Sequence, residues 1–99
     1  MTRHELEKSF YQGEHKKVAD TFSDRTPKLF EVPLLVGALS FLGRIEEAEA
    51  HFQAKEKELN RKDLAACRFY LGVGFCRHSF YKKGRSYFTQ NLATFRSNS

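Results

Sequence analysis

The four histidines and two cysteines are the residues of this chain that could hold a metal ion or support nucleophilic catalysis. A metal site needs its ligands at short spacings such as His-x-x-x-His or Cys-x-x-Cys, because one ion must contact all of them. The histidines are instead scattered along the chain, at His4, His15, His51 and His78. We therefore predict no metal site, no cofactor and no enzymatic activity, and we interpret the histidines as surface or packing residues.

Two other patterns that can belong to active sites have a simpler explanation. Gly72 and Gly74 form a Gly-x-Gly pair, but they lie in an apolar stretch that lacks the Gly-Lys-Ser/Thr sequence of a phosphate-binding loop. The pair is better explained by close helix packing. The glutamates between residues 46 and 58 are interspersed with lysines, which is typical of a solvated helix face rather than an acid–base pair.

The cysteines point to a reducing environment. Cys67 and Cys76 fall on one predicted helix, where nine residues rise about 13 Å and turn about 900°, so the two thiols lie on opposite faces and cannot bridge. The N-terminal residues are charged and lack the apolar segment of a signal peptide. No run of about 18 apolar residues is present, so we predict no membrane span. Together these features predict a cytoplasmic protein.

Basic residues are concentrated in the last part of the chain. Residues 1–60 contain nine Lys/Arg and eleven Asp/Glu, a balance of −2, whereas residues 61–99 contain eight and one, a balance of +7. This asymmetry predicts an acidic partner for the C-terminal part. Lys82, Lys83 and Arg85, with Tyr81 and Tyr87 nearby, could alternatively bind nucleic acid or another anionic ligand. We regard nucleic acid as the weaker alternative, because three cations are few for a phosphate-binding surface.

The apolar residues around position 72 indicate a pair of closely packed helices. Leu71 and Phe75 are four residues apart and therefore share one helix face, with Gly72 beside them. Gly84 is expected to have the same packing role in the following helix, four residues before Phe88. A glycine on the packing face lets a neighbouring backbone come close, so this stretch predicts an antiparallel helical hairpin.

The same pattern occurs 36 residues earlier. The corresponding pairs are Leu35 and Leu71, Leu39 and Phe75, Gly43 and Ser79, Ile45 and Tyr81, Ala48 and Gly84, and Phe52 and Phe88. This offset predicts a packing role for each member, including Tyr81. Pro33 is tolerated only in a first helical turn, so we expect a helix that begins close to it. A second helix is then expected over residues 45–59, and a less regular hairpin over residues 4–23 has Leu6 and Phe10 in the places of Leu71 and Phe75.

The Leu-Gly-x-x-Phe and Gly-x-x-x-Phe sequences of residues 71–88 resemble the tetratricopeptide repeat, whose pattern contains Leu-Gly-x-x-Tyr and Ala-x-x-x-Phe. The resemblance covers most of residues 29–95 and extends weakly to residues 4–23. It implies an all-α fold in one domain of residues 1–99. That domain would be a right-handed array of about three antiparallel hairpins, at residues 4–23, 29–60 and 63–95.

In the family that the chain resembles, the first helices of successive hairpins line a concave groove that holds a peptide. The resemblance places on this groove Phe30, Pro33, Gly37, Ser40, Phe41, Ala66, Phe69, Val73, Cys76 and Arg77. It implies a non-catalytic protein–protein interaction module that binds an acidic-hydrophobic segment of another protein. Phe41 and Phe69 would be the apolar anchors and Arg77 the charged contact. A regulatory or sensory domain at the N-terminus of a longer multidomain protein is the alternative.

The end of the chain predicts a second interaction. Leu92 and Phe95 continue the apolar spacing of Phe88 along the last helix. Repeat arrays usually end in a capping element with a polar outer face. This apolar face therefore predicts either a following element or self-association through the C-terminal helix.

Overall fold

The computed structural model describes residues 2–96, with side chains up to residue 94. Within that range the chain forms α-helices and no strand, which confirms the all-α prediction. The helices are α1 (Arg3–Tyr11), α2 (His15–Thr21), α3 (Val32–Phe41), α4 (Ile45–Lys55), α5 (Arg61–Arg77) and α6 (Tyr81–Arg96). The Cα radius of gyration is 13.1 Å, and a compact domain of about 100 residues typically has this size.

Three turns with the same hydrogen bonds join the helices in pairs. In each turn a backbone N–H donates to the carbonyl five residues earlier: Glu14 to Ser9 at 2.9 Å, Arg44 to Leu39 at 2.9 Å, and Phe80 to Phe75 at 2.8 Å. The preceding N–H donates to the next carbonyl of the helix: Gly13 to Phe10 at 3.1 Å, Gly43 to Ser40 at 3.2 Å, and Ser79 to Cys76 at 3.1 Å. This pair of bonds is the Schellman motif that ends many helices. The chain thus contains hairpin 1 (α1 and α2), hairpin 2 (α3 and α4) and hairpin 3 (α5 and α6).

The shared turn geometry defines which residues of the hairpins are equivalent. Gly13, Gly43 and Ser79 have positive φ angles of 84°, 82° and 69°, so hairpins 2 and 3 are related by the 36-residue offset that the sequence shows. Hairpin 1 is aligned one residue differently from the prediction, because its turn makes Leu6 equivalent to Gly72 rather than to Leu71. Apolar spacing alone could not set this register.

The turn residue of hairpin 3 provides a test of backbone strain. Ser79 adopts a left-handed conformation in which a residue with a Cβ is strained. We expect Ser79→Gly to raise the free energy of unfolding by about 0.5–1 kcal/mol, measured by urea denaturation. The matched change Gly13→Ser should lower it by a similar amount, because a Cβ at Gly13 has no heavy atom within 4 Å and only the backbone is strained. Equal stabilities of both variants and the parent chain would show that the turns carry no strain.

Helix α3 is the centre of the fold. Every residue from Val32 to Ser40 is buried, and α3 lies against α1, α2, α4 and α5. A helix that is apolar on all sides needs neighbours around its whole circumference. Pro33 lies in the first turn of α3, where its missing N–H leaves no intrahelical bond unmade, so the predicted start of this helix is confirmed.

Two glycines allow the helices of hairpin 3 to pack closely. A Cβ at Gly72 would lie 2.6 Å from Cε1 of Phe88, and a Cβ at Gly84 would lie 2.8 Å from the carbonyl oxygen of Gly72. Both separations are shorter than van der Waals contact, so a side chain at either position would displace its neighbours. Leu71 and Phe75 are buried beside them. The predicted close packing at Gly72 and Gly84 is confirmed.

Helix α4 ends earlier than the apolar pattern predicts. It stops at Lys55 and a 3₁₀ turn follows at Glu56–Glu58, whereas the pattern predicts one helix over residues 45–59. Leu59 still packs in the core, so the spacing identified the buried residue but not the backbone conformation. Asn60 then caps α5, since its side-chain oxygen accepts a hydrogen bond from the N–H of Asp63 at 2.8 Å.

Candidate partner-binding surface

Three of the residues predicted to line a groove are buried: Pro33, Gly37 and Ser40. At Gly37 the reason is direct, because a Cβ there would lie 2.7 Å from ring atoms of Phe10 and 3.0 Å from Cδ2 of Tyr70. Rings from α1 and α5 therefore meet over the glycine and fill the space that a partner segment was expected to occupy. The prediction of an open groove over this part of α3 is wrong in this structure.

Ser40 is covered by the next hairpin. A Cβ at Gly74 would lie 3.2 Å from the Cβ of Ser40, so the backbone of α5 passes directly over this residue. The Ser40 hydroxyl donates to the carbonyl oxygen of Val36 at 2.7 Å, which satisfies its hydrogen-bonding capacity inside the fold. Ser40 is a packing residue of the interface between hairpins 2 and 3.

Three of the five residues predicted on α5 form one stripe, and the other two, Ala66 and Cys76, are half-buried. Phe69, Val73 and Arg77 are spaced four residues apart and therefore lie above one another on the same helix face. The Phe69 side chain is 52% exposed, Val73 is half-buried and Arg77 is exposed. This face of α5 is accessible to a partner.

Aromatic rings connect this stripe to α3. The Phe41 ring is half-buried, and its centroid lies 5.8 Å from that of Tyr70, which lies 5.8 Å from that of Phe69. The Arg77 guanidinium carbon lies 6.0 Å from the centroid of Phe41, at the outer limit of a cation–π contact. We call the surface of Phe41, Phe69, Tyr70, Val73 and Arg77 the aromatic surface.

Phe30 does not belong to the aromatic surface. It lies in a 3₁₀ turn, Leu29–Glu31, that precedes α3, and it is 39% exposed. The guanidinium carbon of Arg3, on α1, lies 4.9 Å from its ring centroid. Phe30 is therefore placed beside the start of α1, and the described contacts do not join it to Phe41 or Phe69.

Tyr70 and His15 also pack next to Phe41, a contact that the sequence did not predict for either residue. The imidazole of His15 stacks on Phe41 with ring centroids 4.7 Å apart and an interplanar angle of 25°. Burial lowers the pKa of His15, which favours the neutral ring near pH 7. The positive charge next to Phe41 is therefore that of Arg77. No sequence signal pairs His15 with Phe41, since the two residues meet only when hairpins 1 and 2 pack together.

One basic residue at the start of α6, Lys83, already forms an ion pair within the chain. The Nζ of Lys83 lies 2.9 Å from Oε1 of Glu49, and the hydroxyl of Tyr87 donates to the other carboxylate oxygen at 2.5 Å. Tyr87 is buried and Tyr81 is 60% exposed, so the predicted packing role of Tyr81 is wrong. Burial, together with the Glu49 hydrogen bond, raises the pKa of Tyr87. Only Lys82 and Arg85 of the predicted group remain exposed without an ion pair among the described residues.

The other reactive side chains are arranged for packing. Burial raises the pKa of the Cys67 thiol to about 12, so the thiol stays protonated at neutral pH. Within residues 2–96 no cluster of three or more His, Cys, Asp or Glu residues could bind a metal ion. None of the helices in the described part of the chain combines the length and the apolar composition that a membrane crossing requires.

Comparisons with family models, with curated proteins and with solved structures gave no match. We therefore infer the function from the residues of this chain.

Proposed function

We propose that this chain is a non-catalytic protein–protein interaction module, built as a right-handed tetratricopeptide-like array of hairpins. It binds an acidic-hydrophobic segment of another protein on the aromatic surface. The observation that carries the proposal is the placement of Arg77: its exposed guanidinium lies beside the ring of Phe41. Among the described residues no carboxylate pairs with it.

The side chains of the aromatic surface are those that dominate the energetics of protein interfaces. Binding free energy is usually concentrated in a few aromatic and arginine residues, surrounded by contacts that exclude water. Phe69 offers an exposed ring, and Phe41 and Tyr70 offer partly exposed rings whose orientation is fixed by packing. A carboxylate of the partner would form a charge-assisted hydrogen bond with Arg77. The balance of +7 in residues 61–99 attracts such a partner over longer distances.

The proposal predicts that charge reversal at Arg77 abolishes partner binding without unfolding the chain. A hydrogen bond to a charged group is worth about 1.5–3 kcal/mol, or about tenfold to a hundredfold in affinity. Affinity purification with mass spectrometry identifies the partner, and titration calorimetry then compares Arg77→Glu with the parent chain. Lys82→Glu is the matched control: it makes the same change of charge at an exposed residue outside the aromatic surface, and it should alter affinity only slightly.

The reverse result would assign binding to the basic residues of α6. If Lys82→Glu weakens binding more than Arg77→Glu, and if affinity falls steeply with added salt, an anionic ligand such as nucleic acid is the ligand class. Unchanged affinity in both variants would remove electrostatics from the mechanism. Circular dichroism of each variant shows whether a loss of affinity reflects a loss of folding.

A further inference from the structure

The interface between hairpins 2 and 3 depends on a glycine at the point where two helices cross. A Cβ at Gly74 would overlap the terminal Cδ1 of Ile45 and would lie 3.2 Å from the Cβ of Ser40. The first helix of hairpin 3 approaches hairpin 2 closely at Gly74, which has no side chain. Ser40 and Ile45 are buried as a result, at 3% and 8% exposure.

The interface between hairpins 1 and 2 also has a small residue at the equivalent position. Ala38 is the equivalent of Gly74 in hairpin 2, and it is fully buried in a cluster with Leu6, Phe10 and Val18. Phe10 is in turn the hairpin 1 equivalent of Ser40. At each of the two interfaces, therefore, the incoming first helix presents a small residue to the preceding hairpin.

Hairpin 3 presents the corresponding surface, and no helix among the described residues covers it. The equivalents of Ser40 and Ile45 are Cys76, which is only half-buried, and Tyr81, which is 60% exposed. Tyr81 begins a stripe along α6 that continues through Arg85 to Leu92, which is 55% exposed. We call Cys76, Tyr81, Arg85 and Leu92 the terminal face. The side chain of Phe95, which the sequence places on the same stripe, lies outside the described residues.

Charge limits what can cover the terminal face. The sequence contains no Asp or Glu after Asp63, and Arg85 has no ion pair among the described residues. A second copy of this chain fits poorly. A head-to-tail copy would bring Lys8, the hairpin 1 equivalent of Gly74, onto Cys76, and a symmetric pair would bring the two Arg85 side chains together. A segment with small and acidic residues fits both the shape and the charge.

We propose that the terminal face docks an α-helix of another protein. That helix carries glycine, alanine or serine where it crosses Cys76 and Tyr81, and acidic residues on either side of the crossing. It packs as α5 packs on hairpin 2, with its backbone close to the start of α6. This inference concerns a surface separate from the aromatic surface, so it does not depend on the proposed function.

The test uses selection of peptides against the intact chain. A phage-displayed library of helix-forming peptides with one randomised face is selected on the parent chain, and selected peptides are synthesised and titrated by fluorescence anisotropy. We expect them to share one small residue flanked by Asp or Glu, and to gain helicity on binding. Replacement of the small residue by leucine should weaken binding at least about tenfold, because the close crossing is lost.

Matched variants of the chain test whether a selected peptide binds at the terminal face. Tyr81→Ser and Arg85→Glu should each weaken binding of a selected peptide at least about tenfold. Tyr11→Ser and Lys17→Glu make the same changes at exposed residues of hairpin 1 and should leave it unchanged. The inference is overturned if the library yields no binder or if the selected peptides bind in an extended form. It is also overturned if leucine is tolerated at the crossing, or if Lys17→Glu weakens peptide binding as much as Arg85→Glu. Sedimentation that shows a dimer disrupted by Tyr81→Ser would instead identify a second copy as the occupant.

Discussion

Glu31→Gln should lower the free energy of unfolding by about 1.5–3 kcal/mol at neutral pH, the range for hydrogen bonds to a charged group. Glu31 is buried, with 3% exposure. Its two carboxylate oxygens accept hydrogen bonds from the two terminal nitrogens of Arg25, each at 2.8 Å, and Oε1 also accepts from the N–H of Lys28 at 2.8 Å. These bonds tie the segment between α2 and α3 to the start of α3. Glutamine has one oxygen and no charge, so it cannot replace this set.

The stabilisation by Glu31 should depend on pH in one direction. Hydrogen bonding from Arg25 is the main reason why the pKa of Glu31 is lowered from its ordinary value of 4.5. A lowered pKa in the folded state means that stability is complete above the pKa of the unfolded chain and is lost as pH falls through the folded-state pKa. The stability difference between the parent chain and Glu31→Gln should therefore be full at neutral pH and should shrink in the acid range below pH 4.5.

Urea denaturation across this pH range, with Glu47→Gln as the control, tests the role of Glu31. Glu47 also pairs with an arginine, since Nη2 of Arg44 lies 2.7 Å from its Oε2, but both side chains are about half exposed. Exposed ion pairs contribute little to stability. We expect Glu47→Gln to behave like the parent chain. Equal stabilities of the two glutamine variants at neutral pH would mean that burial does not strengthen the Arg25 contact.

The helices and their pairing could be predicted from the sequence because local spacing encodes them. Leu71, Phe75 and the glycines at 72 and 84 lie in the helices where the pattern places them. Two of the Schellman turns can also be recognised in the sequence, since glycine is the preferred residue at a positive φ angle. Ser79 is the exception: only its equivalence with Gly43 marks it as a turn residue.

The binding surface could be predicted only in part, because distant side chains decide which residues stay exposed. Gly37 lies on the expected side of α3, but Phe10 and Tyr70 cover it, and neither ring is near it in the sequence. The predicted packing role of Tyr81 was wrong for a similar reason. The hydroxyl of Tyr87 reaches Glu49 of hairpin 2, whereas Tyr81 lies where no further hairpin covers it within the described residues.

Gly84→Ala should lower the free energy of unfolding by about 2 kcal/mol, although alanine favours helices over glycine by about 0.5–1 kcal/mol. The added Cβ would overlap Sγ of Cys76, and it would lie 2.8 Å from the carbonyl oxygen of Gly72 and 3.2 Å from the backbone nitrogen of Cys76. Backbone atoms inside a helix cannot rotate away, so α5 and α6 must separate to relieve the overlap. Separation of the two helices would also disrupt the contact of the Phe88 ring with Gly72.

Comparing Gly72→Ala with Gly84→Ala shows whether the added Cβ is less destabilising when it meets a side chain than when it meets the backbone. The three atoms nearest to a Cβ at Gly72 all belong to the ring of Phe88. That ring can shift, because Phe88 is only half-buried. Gly72→Ala should therefore be less destabilising than Gly84→Ala, and Ser86→Ala, on the exposed side of α6, should be neutral or slightly stabilising. Urea denaturation midpoints of the three variants give the order directly. If Gly84→Ala is as stable as Ser86→Ala, α5 and α6 do not approach as closely as the Gly72 carbonyl contact requires.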